Sequence, residues 1–165
     1  MASDPAGAVV RVPLLLWAAL IFQLRNRGSG EGESGAFLLG PQDSNSGRVT
    51  TYVCYDDLDP EALQSGAITF HAPGYATLWE YCRKKKLKAL ADVHTHPGQY
   101  VGQSSTDQRN PMIPVQGHTA MIVPNFGRTA WWSLNAVGVY EYLGDFKWRP
   151  HDASEMSRRV RLTLW

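Results

Sequence analysis

Two segments of the chain repeat apolar residues at helical spacing. The first runs from Leu14 to Arg27, follows Pro13 and closes in basic residues before Gly28. Proline at the beginning and glycine at the end are typical helix boundaries. The second runs from Gly74 to about Leu87, with apolar positions three to four residues apart. Both segments predict helices.

Shorter runs of alternating, β-branched or aromatic residues predict strands. They are Ala8–Val12, Ala36–Leu39, Val49–Tyr55, Ala67–His71, Ala89–His96, Thr119–Pro124, Ala130–Asn135 and Val137–Tyr142. Helices that alternate with strands in this order predict a mixed α/β (α+β) domain, in which a central mixed sheet is flanked by helices.

The length of 165 residues suits one globular domain with a single core, so 1–165 is predicted as one domain. The small, polar segment 1–7 is predicted to be flexible. Asp152-Ala153-Ser154-Glu155 resembles a capping box and predicts a helix toward Arg161 within the C-terminal segment 152–165. The basic, partly apolar end of that segment could cover the core or dock a partner.

Composition mainly excludes classes of function. Hydrophobic residues make up 44% and charged residues 19%, as in soluble folds, and the net charge of +1 favours neither nucleic acid nor a membrane surface as partner. The apolar run Val12–Phe22 is too short to span a bilayer and predicts a buried helix of a cytoplasmic protein. Cys54 and Cys82 are too few for a disulfide scaffold and are expected as buried thiols.

The stretch DVHTHPGQYVGQSSTD, from Asp92 to Asp107, has the spacing of a metal site. On a strand, His94 and His96 project from the same face. Pro97-Gly98 ends the strand, and the turn-rich loop after it can return Asp107 to the histidines. Two neutral imidazoles and one carboxylate suit zinc and leave a fourth position for water. The pattern therefore predicts one catalytic zinc ion.

Hydrolysis at such a site needs a proton acceptor and a donor for the oxyanion. Glu33, just before the apolar strand, is the candidate general base. Glu31 competes with it because it would lie on the same side of an extended segment. Ser104, three residues before Asp107, is placed to supply the oxyanion donor.

Other residues near the motif have weaker assignments. Met112, Ile113 and Val115 lie between or beside prolines and could either anchor a loop or wall a groove for an extended substrate tail. Ser105 and Thr106 are predicted to cap the turn after the loop. The remaining histidines, His71, His118 and His151, are interpreted as surface or core residues, and of these only His118 could reach the site.

The motif resembles that of a known family. His94-Thr95-His96, seven residues, Ser104, two residues and Asp107 match the JAMM signature of the JAB/MPN metallopeptidases. The segment ESGAFLLG, from Glu33 to Gly40, resembles the family's upstream strand, with Ala36 where the family often has glycine. The resemblance covers roughly residues 9–142. It implies the JAB/MPN, cytidine-deaminase-like fold.

The resemblance also implies an activity, namely zinc-dependent cleavage after the C-terminal glycine of ubiquitin or a ubiquitin-like protein. It assigns His94, His96 and Asp107 as zinc ligands, Glu33 as general base and then general acid, and Ser104 as the oxyanion donor. Because the chain lacks long insertions, it looks like the compact prokaryotic branch. The alternatives are a peptidase that processes a sulfur-carrier protein and a non-catalytic MPN scaffold.

Overall fold

The computed structural model describes residues 8–165, so the predicted flexibility of residues 1–7 concerns a segment outside the described residues. In chain order the elements are β1 (Val10–Pro13), α1 (Leu14–Arg27), β2 (Gly35–Pro41), β3 (Thr51–Cys54), α2 (Tyr55–Leu58), α3 (Ala72–Lys85), β4 (Leu87–Thr95), α4 (Ser105–Arg109), β5 (Thr119–Val123), β6 (Gly138–Gly144), β7 (Lys147–His151) and β8 (Val160–Thr163). This arrangement confirms the predicted mixed α/β class.

Six strands form the central sheet, in the order β3-β2-β4-β5-β6-β7. β4 and β5 run parallel, and the other neighbouring pairs are antiparallel. β1 and β8 form a separate parallel pair. The strand β4, which carries the histidine motif, therefore lies inside the sheet between β2 and β5.

The two faces of the sheet pack against different helices, because successive side chains of a strand point to opposite faces. On one face, α1 and β1 bury a largely aliphatic core, which includes Leu20, Leu24, Leu38, Val93 and Met121. On the other face, α2 and α3 bury a core that includes Phe37, Leu39, Tyr55, Leu78 and Cys82. The face toward α1 is called the apolar face below, and the face toward α3 the site face.

The helix α1 has the predicted bounds, with Pro13 as its N-cap and Gly28 as its C-cap. Trp17, Leu20 and Leu24 are fully buried, so its apolar stripe belongs to the core. Among the described residues, no helix is long and apolar enough to cross a membrane.

Two predicted strands, Ala67–His71 and Ala130–Asn135, are wrong, because neither segment pairs with a neighbouring strand. The larger apolar side chains of the first pack into the core beside α3 without strand pairing. In the second, Trp131 and Trp132 are exposed and contact each other edge to face, with ring centroids 5.4 Å apart. Aromatic residues favour strands only where a pleated surface packs against them.

The C-terminal segment 152–165 does not form the predicted helix. The carboxylate of Asp152 accepts two backbone N–H bonds, as a cap does, but only a 3-10 turn at Met156–Arg158 follows. The next residues pair with β1 as β8. This pairing with β1 provides hydrogen-bond partners for the backbone of a segment that is rich in β-branched residues.

Both cysteines are free and buried, as predicted. Burial raises the pKa of the Cys54 thiol to about 11 and also raises that of Cys82. Since the thiolate is the reactive form, neither side chain is suited to nucleophilic chemistry.

Candidate metal centre and its cavity

The two histidines of the motif lie at the end of β4. Alternation along the strand places His94 on the site face, together with Asp92, and Val93 on the apolar face. His96 directly follows the last residue of the strand. Each of the two histidines is only 8% exposed, so both imidazoles are held by packing.

Asp107 completes a cluster with the histidines, because the short helix α4 places it in its first turn, facing the end of β4. The Nε2 atoms of His94 and His96 are 3.2 Å apart. Asp107 Oδ2 lies 3.3 Å from His96 Nε2, and Asp107 Oδ1 lies 3.5 Å from His94 Nε2. Within residues 8–165, these three side chains are the group that could hold a metal ion.

The cluster has the size and chemistry of a tetrahedral metal site. Bonds of about 2.0–2.1 Å to a tetrahedral zinc ion imply a separation of roughly 3.3 Å between neighbouring ligand atoms. The three observed separations lie between 3.2 and 3.5 Å. Two imidazole lone pairs that face each other at such a distance repel unless a proton or a cation lies between them. The donor set therefore fits a divalent cation.

A backbone carbonyl fixes the tautomer of His96. Its Nδ1 lies 3.2 Å from the carbonyl oxygen of Tyr100. Because a carbonyl oxygen can only accept, Nδ1 carries the hydrogen, and in the neutral ring Nε2 keeps the lone pair that points into the cluster. The loop after β4 thus orients a candidate ligand.

Ser104 positions Asp107 through a capping box. The Ser104 N–H donates to Asp107 Oδ2 at 2.7 Å, and the Asp107 N–H donates to Ser104 Oγ at 3.1 Å. The prediction that Ser105 and Thr106 cap this turn is therefore wrong, since Ser104 is the N-cap of α4. Ser104 also lines the cavity, and a hydroxyl that accepts one hydrogen bond still has its own hydrogen to donate.

The contacts in the cluster shift two pKa values in opposite directions. Burial alone would raise the pKa of Asp107, but its contacts with the His94 and His96 rings and the hydrogen bond from the Ser104 backbone outweigh burial and hold this pKa well below its usual range. The hydrogen bond with Asp107 raises the pKa of His96, although burial lowers it. Asp107 is therefore an anion, which is the form that a metal ion binds.

Strand register places Glu33 beside the cluster. Gly35 of β2 lies opposite His94 of β4 in an antiparallel pair, so the same register two residues earlier puts Glu33 opposite His96 and on the same face. Glu33 is half-buried, lines the cavity and helps to raise the pKa of His96. The competing residue, Glu31, is exposed and does not line the cavity.

Thr95, between the two histidines, joins β4 to the segment that carries Glu33. The Thr95 N–H donates to the Ser34 carbonyl oxygen at 2.9 Å, and the Ser34 N–H donates to Thr95 Oγ1 at 3.0 Å. Ser34 Oγ in turn donates to the Leu24 carbonyl oxygen of α1 at 2.6 Å. These buried hydrogen bonds fix the segment before β2 relative to the histidines.

A turn after β5 holds the segment that follows His96. Asn125 and Phe126 adopt positive φ angles of 55° and 52°, in a region that is costly for residues with a Cβ. Their N–H groups donate to the carbonyl oxygens of Gly98 and His96 at 2.9 and 2.8 Å. The left-handed backbone thus points two consecutive N–H groups toward the segment that follows β4.

A cavity of about 950 Å³ opens beside the cluster. Its aromatic lining includes Tyr55, Phe70, Tyr75, Tyr100, Phe146 and Trp148. Of the three residues predicted for a substrate groove, Met112 lines the cavity, Ile113 is buried in the core and Val115 is 61% exposed and outside the lining. The structure thus brings only Met112 of these three to the cavity.

Pattern analysis missed a buried contact between Asp92 and His118 beside the cluster. His118 Nε2 lies 2.7 Å from Asp92 Oδ1, and the Tyr55 hydroxyl lies 3.5 Å from Asp92 Oδ2. Asp92 is 2% exposed and His118 is 7% exposed. Asp92 precedes His94 by two residues, so strand alternation is the signal that could have placed it on the same face.

No family model matches this sequence, but solved structures share its fold. A protein from Desulfitobacterium hafniense is 14% identical, with 94% of this chain and 93% of that chain covered and a TM-score of 0.64. A protein from Salinibacter ruber is 21% identical, with 93% and 91% covered and a TM-score of 0.54. A JAB1/MPN domain protein from Archaeoglobus fulgidus is 15% identical, with 94% and 100% covered and a TM-score of 0.50.

These similarities concern the fold, since the identities are low. The third structure shows that the chain has an MPN-like fold, as the motif resemblance implies. The likeness covers 93–94% of this chain.

Proposed function

We propose that this protein is a zinc-dependent peptidase or isopeptidase that cleaves after the C-terminal glycine of a ubiquitin-like protein. The main support is that a three-ligand cluster and Glu33 meet on the wall of one large cavity. The JAMM-like spacing supports the substrate class, and the likeness to a JAB1/MPN domain protein supports the family resemblance.

In the proposed reaction, His94, His96 and Asp107 would hold a zinc ion, which would supply the Lewis acidity for activating water and polarising the scissile carbonyl. Glu33 accepts a proton from the attacking water and later gives it to the leaving amine as the C–N bond breaks. Ser104 donates its hydroxyl hydrogen to the oxyanion of the tetrahedral intermediate. The Ser104 N–H also keeps the Asp107 carboxylate oriented.

The proposed substrate tail enters along the wall formed by the segment after α4. Pro111, Met112 and Pro114 give this wall an apolar surface. Ile113 anchors the same segment in the core, and Val115 is assigned to contacts with the body of the partner, outside the cavity. An extended glycine-terminated tail would place its last carbonyl at the cluster, beside Glu33.

The decisive experiment measures zinc content together with hydrolysis of a ubiquitin-like protein that is fused through its C-terminal glycine to a short peptide. Glu33→Gln should keep its zinc and lose turnover by about 10²- to 10⁴-fold, the usual contribution of a general base. Glu31→Gln is the matched control, because the same charge change occurs outside the cavity. Wild-type turnover in Glu33→Gln, or loss in Glu31→Gln instead, would contradict the assignment.

The same assay separates the alternative functions. Precursors with a linear extension, lysine-linked conjugates and a sulfur-carrier precursor present the same glycine with different leaving groups, so their relative rates identify the natural bond. A chelator should stop hydrolysis and a thiol alkylator should not, since both cysteines are buried. A non-catalytic scaffold would cleave none of these substrates, even when it is loaded with zinc.

A further inference from the structure

Apart from hydrolysis, we propose that a groove beside α1 binds a short segment of a partner protein in which apolar side chains stand next to carboxylates. The groove has a volume of about 510 Å³ and lies between α1 and residues 127–132, which follow β5. It is called the α1 groove below. It shares no lining residue with the cavity beside the metal cluster, so this proposal does not depend on the proposed function.

One wall of the α1 groove is an exposed face of the helix. Ala18, Phe22 and Arg25 line this wall, and their spacing of four and three residues places them on the same face. The apolar stripe that α1 buries in the core lies on other positions of the helix. Phe22 is therefore left 62% exposed.

The opposite wall carries two exposed tryptophans. Trp131 is 44% exposed and Trp132 is 63% exposed, and both line the groove. Contiguous apolar surface of this kind marks interaction sites in soluble proteins. Tryptophan and arginine are also the residues that most often dominate the binding energy of protein interfaces.

The tryptophans lie on a segment whose two ends are fixed. At one end, the Arg128 N–H donates to the Asn125 carbonyl oxygen at 3.0 Å. There, Gly127 packs so closely on α1 that a Cβ would lie 3.2 Å from the backbone nitrogen of Arg25. At the other end, the side chain of Leu134 is buried in the core. A partner therefore binds a surface that is already ordered, which lowers the entropy cost of association.

Two arginines give the groove a positive charge. Arg25 and Arg128 line it and are exposed, and within residues 8–165 neither forms an ion pair. Arg27, by contrast, is held by Asp56 at 2.9 Å and by Asp57 at 2.8 Å. The described lining residues include no aspartate or glutamate. Carboxylates of a partner would therefore complement the charge of the groove.

The same features favour an acidic protein segment over other occupants. A two-fold contact between copies of this chain would bring the arginines of two grooves together, and like charges at an interface repel. Grooves that bind single-stranded nucleic acid follow the phosphate backbone with positive charge over several nucleotides, whereas the lining here has two arginines. A concave groove also encloses a protruding side chain better than it contacts a flat membrane surface.

The test uses three acetylated peptides in which leucine and phenylalanine alternate with aspartate, with asparagine or with lysine. Binding is followed by the indole N–H signals of Trp131 and Trp132 in NMR spectra. The aspartate peptide should bind about 3- to 10-fold more tightly than the asparagine peptide, as two exposed ion pairs allow, and added salt should reduce the difference. Equal affinities, or no measurable binding of the aspartate peptide, would overturn the proposal.

Charge reversal locates the binding site. The double variant Arg25→Glu with Arg128→Glu should bind the lysine peptide more tightly than the aspartate peptide, an inversion that partial unfolding would not produce. Arg83→Glu makes the same kind of charge change at an exposed position of α3, outside the groove, and should keep the order of the wild-type protein. An unchanged order in the double variant would overturn the proposal.

Truncation of an aromatic side chain tests the apolar part of the groove. Trp132→Ala should weaken the binding of the aspartate peptide by about 5- to 30-fold, as loss of an interface tryptophan does. Leu15→Ala, at an exposed position of α1 outside the groove, is the control and should bind as the wild-type protein does. Wild-type affinity in Trp132→Ala would contradict the assignment.

Other ligands are measured in parallel. Vesicles of phosphatidylserine or an oligothymidine that bind more tightly than the aspartate peptide, and fail to bind the double arginine variant, would overturn the proposal in favour of that ligand. Sedimentation of the protein alone measures self-association, and a dimer that Trp132→Ala dissociates would assign the groove to a second copy instead. Because none of these measurements involves turnover, their failure would leave the proposed hydrolysis unaffected.

Discussion

The same strands carry different kinds of side chain on the apolar face and on the site face of the sheet. On the apolar face, β2, β4 and β5 bury aliphatic side chains against α1. On the site face, they carry candidate ligands, the buried contact between Asp92 and His118 and one wall of the cavity. The boundary runs through a single strand, since Val93 and His94 are neighbours with opposite surroundings. A closed apolar core on one face can thus hold polar groups at fixed positions on the other.

The largest effect is expected when each of two neighbouring residues in β4, His94 and Val93, is replaced by alanine. His94→Ala should remove metal binding and reduce hydrolysis to background, because two ligands cannot hold the ion tightly, while the metal-free protein keeps most of its stability. Val93→Ala should do the reverse, with metal content unchanged and the free energy of unfolding lowered by about 1–3 kcal/mol. Metal analysis and thermal unfolding of both variants test this contrast. Metal retained in His94→Ala would refute the ligand assignment.

Stability of the apolar face is tested with Leu38→Ala. Leu38 is fully buried, so its truncation should lower the free energy of unfolding by about 2–5 kcal/mol. The metal content of the folded fraction should not change, because the side chain points away from the cluster. Denaturant unfolding and metal analysis provide the two measurements. A parallel loss of metal from the folded fraction would show that the two faces are not separate.

Two adjacent residues of β2, Gly35 and Ala36, also allow the two faces of the sheet to be compared. A Cβ at Gly35 would come within 2.2 Å of the Tyr55 ring, so Gly35→Ala should cost about 1–3 kcal/mol of stability and disturb the pairing with His94. Ala36→Gly, on the apolar face, should cost about 0.5–1 kcal/mol and leave metal affinity unchanged. Equal effects of the two changes on metal affinity would show that the two faces are not separate.

Modest effects on stability and metal affinity are expected at the N-cap of α4. Ser104→Ala leaves the Asp107 N–H without its side-chain acceptor and should cost about 1 kcal/mol of stability, with metal affinity lowered about tenfold. Competition with a chelator measures the affinity, and Ser104→Thr should restore it. Ser105→Ala, at an exposed position outside the capping box, serves as the control and should change neither quantity.

Local patterns predicted those parts of the molecule that depend on residues close in sequence. The bounds of α1 follow from Pro13, Gly28 and the apolar stripe between them. The approach of His94, His96 and Asp107 follows from strand alternation and a short returning loop, which lie within one segment of the chain. The fold class followed from the order of such elements.

The rest of the structure depends on pairing between segments that are far apart in the sequence. The segment that forms β8 is a strand because β1 lies beside it, and no local pattern contains that neighbour. The contact of Asp92 with His118 likewise requires the parallel register of β4 and β5. The segment Ala130–Asn135 shows the converse, since strand propensity without a pairing partner leaves it irregular.

The hydrogen bonds of Thr95 imply that the middle residue of the histidine motif governs geometry without taking part in the chemistry. Its two hydrogen bonds with Ser34 tie the segment that carries Glu33 to the strand that carries the two imidazoles. Valine has nearly the same shape but offers no oxygen to Ser34. Thr95→Val should therefore leave the imidazoles in place and loosen the segment that carries Glu33, which keeps only the backbone hydrogen bond from residue 95.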